Sequence, residues 1–227
     1  MKTYHYYGFL ALLLAFTFGC KKTDIAPQSI LPERNSLTQD QQAGCPYYFY
    51  YQGNTPRDLG PMYNDKILVG FKKGTNQVNK LMVLGMYPQL DAIIGTTSTN
   101  AAELTIVSLK PNISCTNLDK LLKDLPVNPH VDFAGGYFDY EYYPGARIGI
   151  TNTFIVSFKP TTTASDLENL LKQTKTEIFE DLGFGTYIVR ITKQSPKDCL
   201  NTTNQFYESG LFETAEPDFF FEFPPMQ

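Results

Sequence analysis

Two stretches of this chain write the same succession of strand and helix signals, and that duplication constrains the fold more than any single motif. Asp65 to Lys72 parallels Thr153 to Lys159, and Leu104 to Leu109 parallels Thr186 to Ile191. Val131 to Phe138 then aligns without a gap against Phe212 to Phe219. A repeated order of elements is the mark of tandem copies of one supersecondary unit rather than of one larger fold. Each copy reads strand, helix, strand, strand, helix, strand. The predicted class is therefore α+β: two tandem ferredoxin-like (βαββαβ) domains, with antiparallel sheets, both helices on one face and the opposite face bare.

Local signals set the expected helix phases. In the second copy Ser165 and Glu168 are predicted to make a capping box, with Ala164, Leu167, Leu170 and Leu171 facing inward. The next helix is predicted to open on Ser195 and Pro196, to bury Cys199, Phe206 and Tyr207, and to stop at Gly210. In the first copy Val78, Leu81 and Met82 form one inward stripe, and Leu118, Leu121, Leu122 and Leu125 the other, before Pro126 and Pro129 end the helix. Pro46 to Tyr51 is a dense aromatic β-former followed by turn residues Gln52 to Asn54, read as a hairpin or added edge strand of the first domain. Tyr137 to Tyr143 is a second aromatic run, passing through Pro144-Gly145 into a linker. Alternating aromatics favour a packed strand; the other reading is an aromatic platform for sugars or peptides. The domains fall at 45–143 and 144–227, preceded by a segment at 1–19 and a tether at 20–44.

The amino terminus speaks to compartment. Lys2 is followed by an apolar run from Gly8 to Phe18, too short to span a bilayer, and then by Gly19-Cys20. This pattern resembles a bacterial lipoprotein signal peptide, although Thr17 and Phe18 depart from the usual residues ahead of the Gly-Cys pair. The resemblance implies that Cys20 is acylated and that the protein is lipid-anchored at the outer membrane or cell surface, facing the periplasm or the exterior. An ordinary secretory signal with an incidental cysteine is the alternative. Lys21 to Asp40 is polar and contains Pro27 and Pro32, too poor in apolar surface to fold, so it is predicted to be flexible.

Composition excludes several functions. Lys and Arg number 19 against 23 Asp and Glu, and no basic run stands out, so no nucleic-acid partner is predicted. Beyond Cys20 there remain Cys45, Cys115 and Cys199, enough for one disulfide and a spare thiol. His130 is the sole histidine after the amino-terminal segment, and no nucleophile motif accompanies it. Gly135-Gly136 follows a strand but opens no helix, and reads as a bulge or turn rather than a phosphate cradle. Glu180-Asp181 and Glu213 with Glu216 read as solvated charges. No cofactor, metal site or enzymatic activity is predicted.

Phe206 to Asp218 closes a helix, turns on Gly210 and opens a strand through Ala215-Glu216-Pro217-Asp218. This segment resembles the end of the prodomain of secreted subtilisin-like serine proteases, especially the fervidolysin-like prodomains. The likeness reaches back to about Arg147, since Thr153 to Thr161 resembles their opening strand. In that family the bare sheet face docks on the protease's helices, and the segment after the last strand runs through the active-site cleft as an added strand. The matching positions are Glu213, Glu216 and Asp218 at the sheet edge and a free tail from Phe219 to Gln227, including Phe219, Phe220, Phe221 and Phe223. Pro224-Pro225 departs from the pattern, since proline donates no backbone hydrogen bond. No protease domain follows in this chain. The expected function is a membrane-anchored protein-binding module of the bacterial envelope, or alternatively an inhibitor or folding chaperone acting in trans on a subtilisin-like protease.

Overall fold

The computed structural model describes residues 47–98 and 102–224, all within the compact unit Arg34–Gln227. The expectations for the signal peptide, the tether, Cys20 and Cys45 lie outside the described residues. The fold is mixed α+β, with four α-helices and a sheet whose strand pairs are all antiparallel.

Strands β1 (Phe49–Gln52) and β2 (Thr55–Asp58) form a hairpin that turns at Gly53. The first half then runs β3 (Lys66–Phe71), α1 (Gln77–Met86), β4 (Leu90–Ser98), β5 (Glu103–Leu109), α2 (Cys115–Asp124) and β6 (Val131–Asp139). The second runs β7 (Arg147–Phe158), α3 (Ala164–Thr174), β8 (Thr176–Gly183), β9 (Thr186–Ile191), α4 (Cys199–Glu208) and β10 (Phe212–Glu222). In the sheet the neighbours are β4-β5-β3-β6 in the first half and β10-β7-β9-β8 in the second. The halves are joined edge to edge where Tyr137, Phe138 and Asp139 of β6 pair with Gly149, Ile148 and Arg147 of β7. Pro144-Gly145 is therefore not an extended linker. It sits in the turn of a hairpin closed by Tyr140 N–H donating to Ala146 O at 3.0 Å.

Close approach explains the Gly135-Gly136 pair, which lies within β6 opposite Leu68 and Ile67 rather than in a turn. A β-carbon on Gly135 would sit 1.9 Å from the Ile150 carbonyl oxygen, and one on Gly136 would sit 2.0 Å from the Met62 sulfur. Only glycine lets β7 rise over β6 at this point.

Of the residues expected inward, α2 buries Leu118 and Leu121, Leu125 is buried just past its end, and α3 buries Leu167 and Leu170, while Leu122 and Leu171 are half-buried and Ala164 is exposed. Two caps move upstream or downstream of their expected sites. The box of α3 is Thr163 with Asp166, while Glu168 pairs with Lys172 at 2.7 Å along the helix. Helix α4 is capped by Asp198, which accepts from Asn201 N–H at 2.8 Å. Ser195 instead tightens the preceding turn, accepting from Thr192 N–H at 2.9 Å. Gly210 ends α4 with φ +74°, as expected.

Helix α1 is rotated from its expected phase. Val83 and Leu84 enter the core together with the stem of Lys80, whose ammonium pairs with Glu103, while Val78, Leu81 and Met82 point outward. This helix is apolar on both sides, so sequence periodicity alone gives it no phase. The sheet face opposite the helices also departs from expectation. In the first half it carries a buried cluster of Leu68, Ala102, Leu104, Phe133 and Tyr137, packed by Tyr63, Ile106 and Phe220.

Candidate partner-binding surface

Strand β10 pairs with β7 along most of its length, interrupted by two irregularities. The first, between Phe212 and Thr214, leaves Glu213 exposed. At the second, between Pro217 and Phe219, the exposed Asp218 is tied back to β7: its carboxylate accepts from the Thr153 hydroxyl at 2.8 Å, and its carbonyl accepts from the Thr151 hydroxyl. Pro217 is tolerated because β10 is an edge strand. Glu216 accepts from Gly53 N–H at 3.2 Å and so fastens the β1–β2 hairpin. That hairpin, expected beside the first copy, packs on α4 and β10: Asn204 donates to Phe49 O at 2.9 Å and the rings of Tyr51 and Tyr207 stack at 4.1 Å. The acidic positions read as a docking edge thus have structural work at Glu216 and Asp218, and only Glu213 is left free of it.

The free tail expected from Phe219 is corrected by the structure as far as Glu222, and residues 225–227 lie outside the described residues. Phe219, Phe220, Phe221 and Glu222 continue β10 opposite Ile150, Gly149, Ile148 and Arg147. Their backbone is already engaged on that side. Alternation then sorts the side chains. Phe220 packs into the opposite-face cluster of the first half, and Glu222 pairs with Lys66 at 2.5 Å, where the ammonium also lies 4.9 Å from the centre of the Tyr137 ring. Phe219 meets Tyr50 edge-on at 5.1 Å.

Phe221 and Phe223 remain exposed and join a larger aromatic surface. Their ring centres lie 6.1 Å apart with the planes nearly parallel, at 11°. The β6–β7 turn supplies the rest: Tyr140 meets Phe221 at 5.1 Å, Tyr143 meets Phe223 at 5.6 Å, and Tyr142 sits under Arg57 at 6.0 Å. Tyr142 also donates to Gln52 Oε1 at 3.0 Å, and Arg57 approaches Glu141 at 3.7 Å. Burial, followed by nearby Tyr142, Glu141 and Glu216, pushes the Tyr50 phenol beneath this surface up to about 12, so it stays neutral. The aromatic runs were visible in the sequence. Their convergence with Phe221, Phe223 and Arg57 was not, because the hairpin, the turn and the strand end come from three distant segments.

A cavity of about 480 Å³ opens between α2 and β6 on one side and the β9–α4 connection on the other. Its floor includes Met62, Phe138 and Ile150. Four of the charges at its rim are engaged: Lys123 pairs with Asp119 at 2.6 Å, Asp198 caps α4, and Lys193 donates to Asn128 O at 2.8 Å, while Asp132 and Lys197 also line it. Burial, reinforced by Lys72, pulls the Lys193 ammonium below its usual range.

His130 uses its backbone in turns, its N–H donating to Asn128 Oδ1 at 2.9 Å and its carbonyl accepting from Lys72 N–H. Among the described residues there is no cluster of three or more His, Cys, Asp or Glu able to hold a metal. Cys115 is disulfide-bonded, and Cys199 is the spare thiol, buried and donating to Thr153 O at 3.4 Å. No protein-family model matches the chain, and no curated protein matches it.

Proposed function

We propose that this chain is a non-enzymatic, membrane-anchored protein-binding module of the bacterial envelope, built from two tandem ferredoxin-like, subtilase-prodomain-like units and tethered through a lipid on Cys20. The strand orders β6-β3-β5-β4 and β10-β7-β9-β8 support the tandem reading, since both follow the 4-1-3-2 order of a split βαβ unit. The observation that carries the binding role is the exposed surface of Tyr142, Tyr143, Phe221, Phe223 and Arg57. Aromatic residues and arginine are the types enriched where protein partners bury most of their binding energy, and a monomer gains nothing by exposing several together. Affinity purification from the envelope tests this. Tyr143→Ser with Phe223→Ser should lose a partner that the parent chain retains, and an unchanged set of retained proteins would sink the reading.

A second reading, action in trans on a subtilisin-like protease, is favoured by the outer edge of β10, which no described strand covers. On this reading the edge adds a strand to the partner by β-augmentation. Because the backbone from Phe219 to Glu222 is paired with β7, inhibition on this reading would come from the edge around Glu213 and from Phe221 and Phe223. Absence of inhibition across a panel of such proteases would remove this reading and leave the general one standing.

A further inference from the structure

Helix α1 carries an apolar stripe on its outer face as well as its inner one. Val78, Leu81, Met82 and Met86 are 68, 54, 52 and 60% exposed, with Gly85 among them. Their spacing of i, i+3, i+4 and i+8 is that of a helix–helix seam, so the face is shaped to receive another helix. A β-carbon at Gly85 would meet nothing within 4 Å, leaving room there for a second helix to approach closely. A helix apolar all round belongs between two layers. Only one of those layers is present in the chain as described.

Charge decides what the second layer is. The one charged residue of α1, Lys80, is buried and paired with Glu103. The outward positions Gln77, Val78, Leu81, Met82, Gly85 and Met86 are all uncharged. A lipid surface is disfavoured, because interfacial helices flank their apolar stripe with Lys and Arg and this one has none. A foreign helix is disfavoured too, since partner choice at such seams is written in flanking charges. Two copies of the same uncharged stripe set no charge against like charge at the contact itself, and a two-fold axis makes the patch its own complement. Strand β4, against which α1 packs, continues the pattern: Ala92 to Ser98 carries no charge, whereas β8 at the other end of the sheet carries Glu177, Glu180 and Asp181. Charged edges block pairing and uncharged ones permit it.

We propose that α1 is a self-association surface, through which two copies of this chain form a two-fold dimer with their α1 helices antiparallel. The patch is small, so the dimer is a weak and reversible one. Sedimentation velocity on the full chain in mild detergent should show the protein mass doubling as its concentration rises through the micromolar range. Leu81→Glu with Met82→Glu should hold the chain monomeric, weakening association by about 100-fold or more. Leu81→Gln with Met82→Gln, which removes the seam without adding charge, should weaken it as well while circular dichroism stays unchanged. Ile178→Glu, on an apolar position of β8 that is 45% exposed, should leave the dimer intact. Met82→Cys should form a disulfide-linked dimer under mild oxidation. A chain that stays monomeric throughout, a dimer that survives both Leu81/Met82 double changes, or α1-dependent binding to lipid vesicles in place of a dimer would overturn the proposal.

Discussion

Replacing Glu222 by alanine tests whether the end of β10 is part of the folded core. Lys66 keeps 9% of its side chain exposed and Glu222 keeps 34%, so the two members of the pair are not equivalent. Without Glu222 the Lys66 ammonium has the face of Tyr137 and little else, and water reaches it poorly. Breaking a fully buried pair costs about 3–5 kcal/mol. Partial exposure of Glu222 discounts that to about 2–3 kcal/mol, nearer the cost of a half-screened pair. For a chain of this size the loss lowers Tm by roughly 5–10 °C. Lys66→Met should also destabilise the chain, because the carboxylate it strands is only about a third exposed and its Oε2 is buried without a partner. The double variant Lys66→Met with Glu222→Gln should recover part of the loss, since no buried charge is left unpaired. Urea unfolding followed by tyrosine fluorescence measures all three. A shift below about 0.5 kcal/mol for Glu222→Ala would mean that the residues after Phe219 behave as a free tail, and the reasoning from β10 pairing would fall.

Gly135→Ala should destabilise the chain by more than about 3 kcal/mol, because its β-carbon meets the Ile150 carbonyl, whereas Gly85→Ala should stabilise α1 by about 0.5–1 kcal/mol; chemical denaturation of both separates close approach from helix propensity. Burial pushes the Cys199 thiol well above its ordinary range, so iodoacetamide should label it only on unfolding, as mass spectrometry would show. The same burial raises Tyr48 and Tyr137 and brings Tyr50 to about 12. These groups stay protonated in the folded chain after the unfolded chain has begun to lose protons, so their contribution is fully present below the ordinary values and falls as pH rises past 9 and then 10. Thermal unfolding between pH 8 and 11 should show Tm declining, and a flat profile would contradict the burial of these groups.

The order of elements was readable because both halves of the chain keep β-branched strand cores and leucine-rich helices, and that order follows from periods of two and 3.6. Gly210 and the stripes of α2 and α3 were readable for the same reason. The phase of α1 was not: with Val78, Leu81, Met82, Val83, Leu84 and Met86 all apolar, only the pairing of Lys80 with Glu103 fixes which side faces in, and that partner is on another strand. The caps slipped because Thr163, Ser165, Ser195 and Asp198 are all good N-cap residues, and loop geometry chooses among them. The place of the β1–β2 hairpin was hidden because its anchors, Asn204, Tyr207 and Glu216, lie more than a hundred and fifty residues away. Likewise, a run of phenylalanines at the end of a chain looks the same whether it is a tail or a strand; Gly149 and Lys66 make it a strand.

The role proposed for the aromatic surface formed by the β6–β7 turn and the end of β10 is to receive a protein partner. Site-specific photo-crosslinking in the living cell tests it most directly, with the crosslinker placed at Tyr143, at Phe223, or at Phe184, an exposed aromatic on the β8–β9 turn away from the cluster. One envelope protein should be captured from Tyr143 and Phe223 and not from Phe184. Equal capture from all three positions, or none from Tyr143 and Phe223, would contradict it.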